Sequence, residues 1–176
     1  EVMLYIMKCD TNYYDKKIDS FIRFAKSLGV AFQLTNFIRD INEDISMNPS
    51  RIYMPQLELQ QFNINLSEYK STKKIDNKFI EFIEFQINKN KDIYKFSQIG
   101  IDNLHINDKK AINLSKILYS KILDKIKDNE YKLFSDKIKV SFIEKLWLVY
   151  ANLSFMSLIT ILYNYISYSY FFYNNF

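Results

Sequence analysis

Apolar residues recur along this chain at steps of three and four rather than two, the pattern of helices with one buried face. From Ile18 to about Ser46 the spacing predicts one long helix, with Ala31, Leu34, Ile38, Ile41 and Ile45 gathered on its apolar side. Asn48-Pro49 marks a turn in the loop 47–50. Residues 57–72 are mixed and predict a short helix with Ser67 as its cap. Residues 78–99 predict an amphipathic helix with Phe79, Phe82, Ile83, Ile87 and Tyr94 inward, stopped by Gly100. Asp108 is expected to cap a helix over 109–127, where Ala111, Leu114, Leu118, Ile122 and Ile126 share a face. A last helix is expected to start near Ser141. Residues 1–9 read as the apolar end of a helix and 10–17 as a polar linker. The sum is an all-α chain without internal repeats.

The long helix carries a second stripe. With Gln33 at the origin and about 100° per residue, Asn36, Asp40, Asp44 and the aromatic Phe37 fall within about 60° of it. A solvated face would mix Lys and Glu there. Two amides and two carboxylates in column instead suit a hard divalent cation such as Mg2+, which takes oxygen ligands. Gly29, one turn earlier on the same side, costs helix stability of about 1 kcal/mol relative to Ala but leaves room beside the stripe. Other Asp-x-x-x-Asp pairs differ in setting. Asp124 and Asp128 stand among lysines and read as surface ion pairs. Asp15 and Asp19 flank the linker. Glu43 shares a face with Arg39 and is a candidate partner for it, which leaves Arg39 as either an orienting group or a phosphate contact.

Composition sharpens this. The chain has 176 residues, one domain's worth, with 48% hydrophobic residues and only two Gly and two Pro, far too few for a turn-rich β architecture. Both prolines, Gly29, and two of the three arginines (Arg39 and Arg51, the third being Arg23) lie in the stretch 29–55. Arg differs from Lys in offering a planar fork to phosphate oxygens. The net charge of +4 is spread with acids and bases interleaved, which is a solvated helical surface and not a nucleic-acid footprint. Cys9 and His105 are each alone, so no disulfide framework, cysteine metal site or Ser/His/Asp triad is supported. No basic segment precedes an apolar one, so no signal peptide is visible.

Gln33-Leu-Thr-Asn-Phe-Ile-Arg-Asp-Ile-Asn-Glu-Asp44 with Arg51-Ile-Tyr-Met-Pro55 resembles the second aspartate-rich motif of the squalene/phytoene synthase family. Leu118-Tyr-Ser-Lys-Ile-Leu-Asp-Lys-Ile-Lys-Asp-Asn-Glu-Tyr131, with Phe134, Lys137 and Lys145, resembles the family's last helices. The resemblance runs from about residue 25 to residue 150, and the Arg-Ile-Tyr-Met-Pro form is nearer the phytoene and dehydrosqualene branch than eukaryotic squalene synthase. Two features depart from the pattern. The loop before Arg51 is longer than usual, and Met3, Tyr5, Met7 and Lys8 replace a run of small residues.

The resemblance implies an isoprenoid synthase type I helical bundle, here an incomplete one: residues 1–150 as the C-terminal part of the helical domain, and 151–176 as an uncharged tail rich in Tyr and Phe. It implies Asp40 and Asp44 as catalytic residues that hold Mg2+ (Mn2+ as the alternative) together with Asn36. Gln33, Asn36, Arg39, Arg51, Tyr53, Tyr119 and Phe37 would contact the prenyl diphosphate. Phe37, Leu34, Tyr53 and Tyr119 are wall candidates for a carbocation, and each is equally well plain core. In the family two prenyl diphosphates join head-to-head through a cyclopropyl intermediate. Phytoene synthases then lose a proton, and squalene synthases add hydride from NADPH. The expected activity is therefore phytoene synthase-like condensation of geranylgeranyl diphosphate, with a squalene or dehydrosqualene synthase using farnesyl diphosphate as the alternative enzyme. No first aspartate-rich motif is present, so the chain reads as the C-terminal half of the fold. The other class of reading is a non-catalytic assembly or binding protein, like the complex I assembly factor of this superfamily; a scaffold has no need of Gln33, Asn36, Asp40 and Asp44. From Leu146 to Phe176 there is no charge, which fits either a buried terminal helix with an aromatic tail or membrane contact, since a span needs about 20 apolar residues. The location stays open between a membrane, a plastid and a mitochondrion.

Overall fold

The computed structural model describes residues 18–104, 106–135 and 137–152. The expectations for residues 1–17, for His105 and for the tail beyond 152 lie outside them. Among the described residues there is no strand. The chain divides into two compact units, Glu1–Val140 and Ser141–Phe176.

In the first unit α1 (Ile18–Arg39) and α2 (Ile41–Ser46) are followed by short helices α3 (Gln56–Gln61) and α4 (Leu66–Thr72), then by the long α5 (Asn77–Asp102) and α6 (Ile106–Asp128). α1 lies along α5, and α6 packs against both. The spacing of apolar residues on α5 explains why. Phe79, Phe82, Ile83, Ile87 and Tyr94 are buried on one face of the helix, and they meet Ala31 and Ile38 of α1 and Ile122, Leu123 and Ile126 of α6 in one core.

Several expectations are corrected. The helix expected over 18–46 is interrupted at Asp40, whose backbone sits at φ −96°, ψ 11°. Hydrogen bonding runs across the break, from Asp40 N to Asn36 O (2.8 Å) and from Asp44 N to Asp40 O (2.9 Å). Neighbours in sequence do not face each other on a regular helix, and the opened turn accompanies the side-by-side pairing of Arg39 with Asp40 described below. Leu34 is only half-buried, and the stripe it was assigned to is filled by Thr35, which is fully buried. Residues 57–72 form two short helices instead of one, and the cap of α4 is Asn65, whose side chain accepts from Ser67 N and Glu68 N. Gly100 does not stop α5, which continues to Asp102. It is instead buried where α5 meets α1, and a Cβ there would stand 2.4 Å from Phe24 Cβ. α6 begins at Ile106, so Asp108 lies in its first turn rather than at its cap. Its Ala111 is exposed and Leu114 and Leu118 are half-buried, so the fully buried part of its face is Ile122 and Ile126.

The second unit begins with a capping box. Ser141 N donates to Glu144 Oε2 (3.0 Å) and Glu144 N donates to Ser141 Oγ (3.2 Å), which starts a helix, α7, described over 142–152, as expected from the sequence. Among the described residues no helix is long and apolar enough to cross a membrane.

Candidate functional site

α1 is held against α5 by apolar contacts and by one buried polar knot. Thr35 Oγ1 donates to the Ala31 carbonyl (2.9 Å), accepts from Asn90 Nδ2 (2.9 Å) and lies 2.9 Å from the Tyr94 hydroxyl. This fixes the rotation of α1 about its axis, and with it the direction of the polar stripe. Gln33 at the stripe's upper end is exposed, whereas Asn36, Asp40 and Asp44 are half-buried. A Cβ built on Gly29 would meet nothing within 4 Å, so there is open space beside the stripe.

Asp40 is the most contacted member. Arg39 Nε donates to its Oδ1 (2.8 Å) and Arg39 Nη2 to its Oδ2 (2.6 Å), a bidentate fork. Lys137, arriving from the loop after α6, stands 3.3 Å from Asp40 Oδ1 and donates to Glu43 Oε2 (2.6 Å). Burial alone would raise the Asp40 pKa, but the hydrogen bonds and charges of Arg39 and Lys137 outweigh it and hold the carboxyl below its ordinary value. Asp44, one turn on, goes the other way: burial first, and then the charge of Asp40, push its pKa up, with Arg51 opposing. A buried carboxyl next to a second carboxylate gains from a cation between them. Asn36 Oδ1 is buried and has no hydrogen-bond partner among the described residues. Among the described residues no three His, Cys, Asp or Glu side chains cluster as a metal site; the column has two carboxylates and an amide.

The loop after α2 folds back on this column. Arg51 N donates to the Asp44 carbonyl (2.9 Å), which seats the exposed Arg51 beside Asp44. Met54 is buried as an anchor, and Tyr53 stacks on Phe37 with ring centroids 4.5 Å apart and planes 10° off parallel. On the other flank Tyr119 of α6 packs on Phe32, centroids 4.5 Å apart. The structure thus brings Asn36, Phe37, Arg39, Asp40, Asp44, Arg51 and Tyr53 together, with the Arg39 pKa raised first by its bond to Asp40 and to a lesser degree by Tyr119 nearby. It leaves Gln33 toward solvent. Glu43 does not pair with Arg39. Lys137 takes Glu43, and Arg39 takes Asp40, because the break at Asp40 turns those two side chains to the same side. Two neighbours of the column, Phe32 and Thr35, have no role in the sequence pattern, and Lys137, matched there to the family's last helices, gains its clamp on the column only from the fold. Phe32 stands one position before Gln33, and helical phase alone could have suggested it. Thr35 and the Lys137 contact depend on long-range packing.

The family model of squalene/phytoene synthase matches residues 2–144. The chain is 36% identical over 116 residues to a 15-cis-phytoene synthase of Synechococcus elongatus, an overlap of 66% of this chain and 37% of that protein. It is 33% identical over 128 residues to a chloroplastic phytoene synthase of Narcissus pseudonarcissus, covering 73% of this chain and 30% of the relative. Among solved structures it resembles a dehydrosqualene synthase crystallised in complex with ligand, with a TM-score of 0.67, 27% identity, and coverage of 76% of this chain and 46% of the other. The chain belongs to the squalene/phytoene synthase family, and its helices adopt the isoprenoid synthase fold. It spans about a third of the length of the phytoene synthases it matches.

Proposed function

We propose that this chain carries one side of the active site of a phytoene synthase-like prenyltransferase, which joins two geranylgeranyl diphosphates head-to-head with loss of diphosphate. The observation that supports it most is the column of Asn36, Asp40 and Asp44, with an amide oxygen that has no partner among the described residues and a carboxyl whose pKa is raised by burial and then by its neighbour's charge. These residues fit a hard divalent cation. A carboxylate offers about four lone-pair sites, and the three contacts of Asp40 leave room on Oδ2. Asp40, Asp44 and Asn36 would hold Mg2+ or Mn2+, which when bound supplies positive charge to the departing diphosphate.

The remaining work belongs to the chain's own side chains. Arg39 and Lys137 keep Asp40 ionised and oriented, and Arg51, exposed beside Asp44, reaches diphosphate oxygens. As the allylic C–O bond breaks, its electron pair leaves with the diphosphate and positive charge spreads over the allyl carbons. The rings of Phe37 and Tyr53, and those of Phe32 and Tyr119, stabilise that charge through their π-electrons and keep water from it. Gln33 contacts the substrate from the exposed end of the column. A membrane contact belongs to the same reading, because α7 exposes Phe142, Ile143, Leu146, Trp147 and Tyr150, a set suited to a helix lying at a lipid surface.

Incubation of the full-length protein with Mg2+ and labelled geranylgeranyl diphosphate is expected to release diphosphate and form a hydrocarbon of twice the chain length. Asp40→Asn should slow product formation at least about 100-fold. Undiminished product from Asp40→Asn would remove the basis of the reading.

A further inference from the structure

Lys137 stands between two carboxylates, Asp40 at the break before α2 and Glu43 within it, and it does not divide itself evenly. Its ammonium donates to Glu43 Oε2 at 2.6 Å but stays 3.3 Å from Asp40 Oδ1. A charge-assisted N–H···O bond closes to about 2.7–2.9 Å. The ammonium is therefore seated on Glu43 and only leans on Asp40. Glu43 follows Asp40 by three positions, about one helical turn, so a single ammonium reaches both acids. Phe134, Ile138 and Val140 are buried on either side of Lys137 and pin its backbone, while its side chain is left partly exposed. Which acid the lysine sits on is thus settled by the side chains. Asp40 has little capacity to spare. The Arg39 fork already fills one site on each of its oxygens, at 2.8 and 2.6 Å, out of about four lone-pair sites on a carboxylate.

We propose that Glu43 is a positioning residue for metal entry: it parks Lys137 to one side and so keeps the Asp40 carboxylate open to a divalent cation that the ammonium would otherwise displace. The inference rests on the reading of Asn36, Asp40 and Asp44 as cation ligands. Without Glu43 the ammonium closes on Asp40, already 3.3 Å away. There it takes a third lone-pair site and sets a full positive charge beside any divalent ion on the same carboxylate, a repulsion that grows as the separation shrinks. Glu43 acts on the cation through Lys137 and not as a ligand, since its Oε2 is taken by the lysine.

Mn2+ titrations of the full-length protein, followed by loss of the electron paramagnetic resonance signal of the free ion, test this. The site in question is the one that Asp40→Asn removes. Glu43→Gln is expected to weaken that site at least about tenfold, and Lys137→Met to tighten it about threefold. The double variant decides the route. If Glu43 works by parking Lys137, its loss has no effect once the ammonium is gone, and the double variant binds Mn2+ within about twofold of Lys137→Met. If Glu43 only adds negative charge near the ion, its loss weakens binding by the same factor with or without Lys137, and the proposal falls. It falls as well if Glu43→Gln leaves the affinity unchanged, or if Lys137→Met binds no more tightly than the unaltered protein. A thermal melt of each variant checks that it is folded. If Asp40→Asn costs the protein no Mn2+ at all, the cation reading of the column falls and takes this inference with it.

Discussion

Asp40 holds three contacts on two oxygens, and its position decides how much of the site can be understood one residue at a time. Its bond to Arg39 joins neighbours in sequence, yet it depends on a break in the helix that periodicity does not announce. Its approach to Lys137 joins residues far apart in the first unit, as does the bond of Lys137 to Glu43, which covers 94 positions of sequence. Thr35 makes the same point for packing. A β-branched residue in an apolar stripe could serve as plain filler, but its hydroxyl satisfies the Ala31 carbonyl, Asn90 and Tyr94 together. Thr35→Val keeps the shape and deletes the partner of two buried groups, so it should cost about 1–3 kcal/mol of stability, read from denaturant unfolding. An unchanged midpoint would show that the knot does not hold α1 in place.

At the scale of elements, the helices with strong apolar periodicity were legible and their ends were not. α5 buries the residues that its spacing marked. Its end differs from the expected stop because Gly100 serves contact with Phe24 and not termination. The cap of α4 fell to Asn65 over Ser67, two residues on, since either side chain is a competent cap and only the path of the chain selects one. The other end of α4 closes on Lys73 in the left-handed region, φ 53°, with its N–H donated to the Tyr69 carbonyl (2.8 Å). Side chains with a Cβ are disfavoured there and glycine is not. Lys73→Gly is therefore expected to stabilise the first unit by about 0.5 kcal/mol, the relief of strain outweighing the added freedom of the unfolded chain. A lowered melting temperature would contradict the strain.

For the whole molecule, three tyrosines tie separate parts of the bundle together and set its alkaline limit. Burial raises the pKa of Tyr69, Tyr94 and Tyr131 to about 12, assisted by the Asp76 carboxylate at Tyr69 and the Glu84 carboxylate at Tyr131, while Thr35 opposes it at Tyr94. Each is neutral in the fold and ionises near pH 10 when unfolded. A pKa raised by folding contributes stability that is complete below the unfolded value and is lost as pH rises through the folded one. Stability should accordingly hold up to about pH 10 and decline toward pH 12. The decline should be smaller in Tyr131→Phe, as unfolding midpoints measured along that pH range would show. A flat profile would mean that these hydroxyls are already exposed.

Composition and periodicity alone determined that this chain is helical, where its core faces lie, and that Asn36, Asp40 and Asp44 share one side of a helix, because those properties are set by residues a few positions apart. The arrangement of helices decided the rest. It gave Asp40 its two cationic partners, left the Asn36 oxygen without a partner among the described residues, and folded Arg51 and Tyr53 back onto the column. Each of these brings together residues far apart in the chain, and such proximities follow from how whole helices pack, which no local pattern encodes.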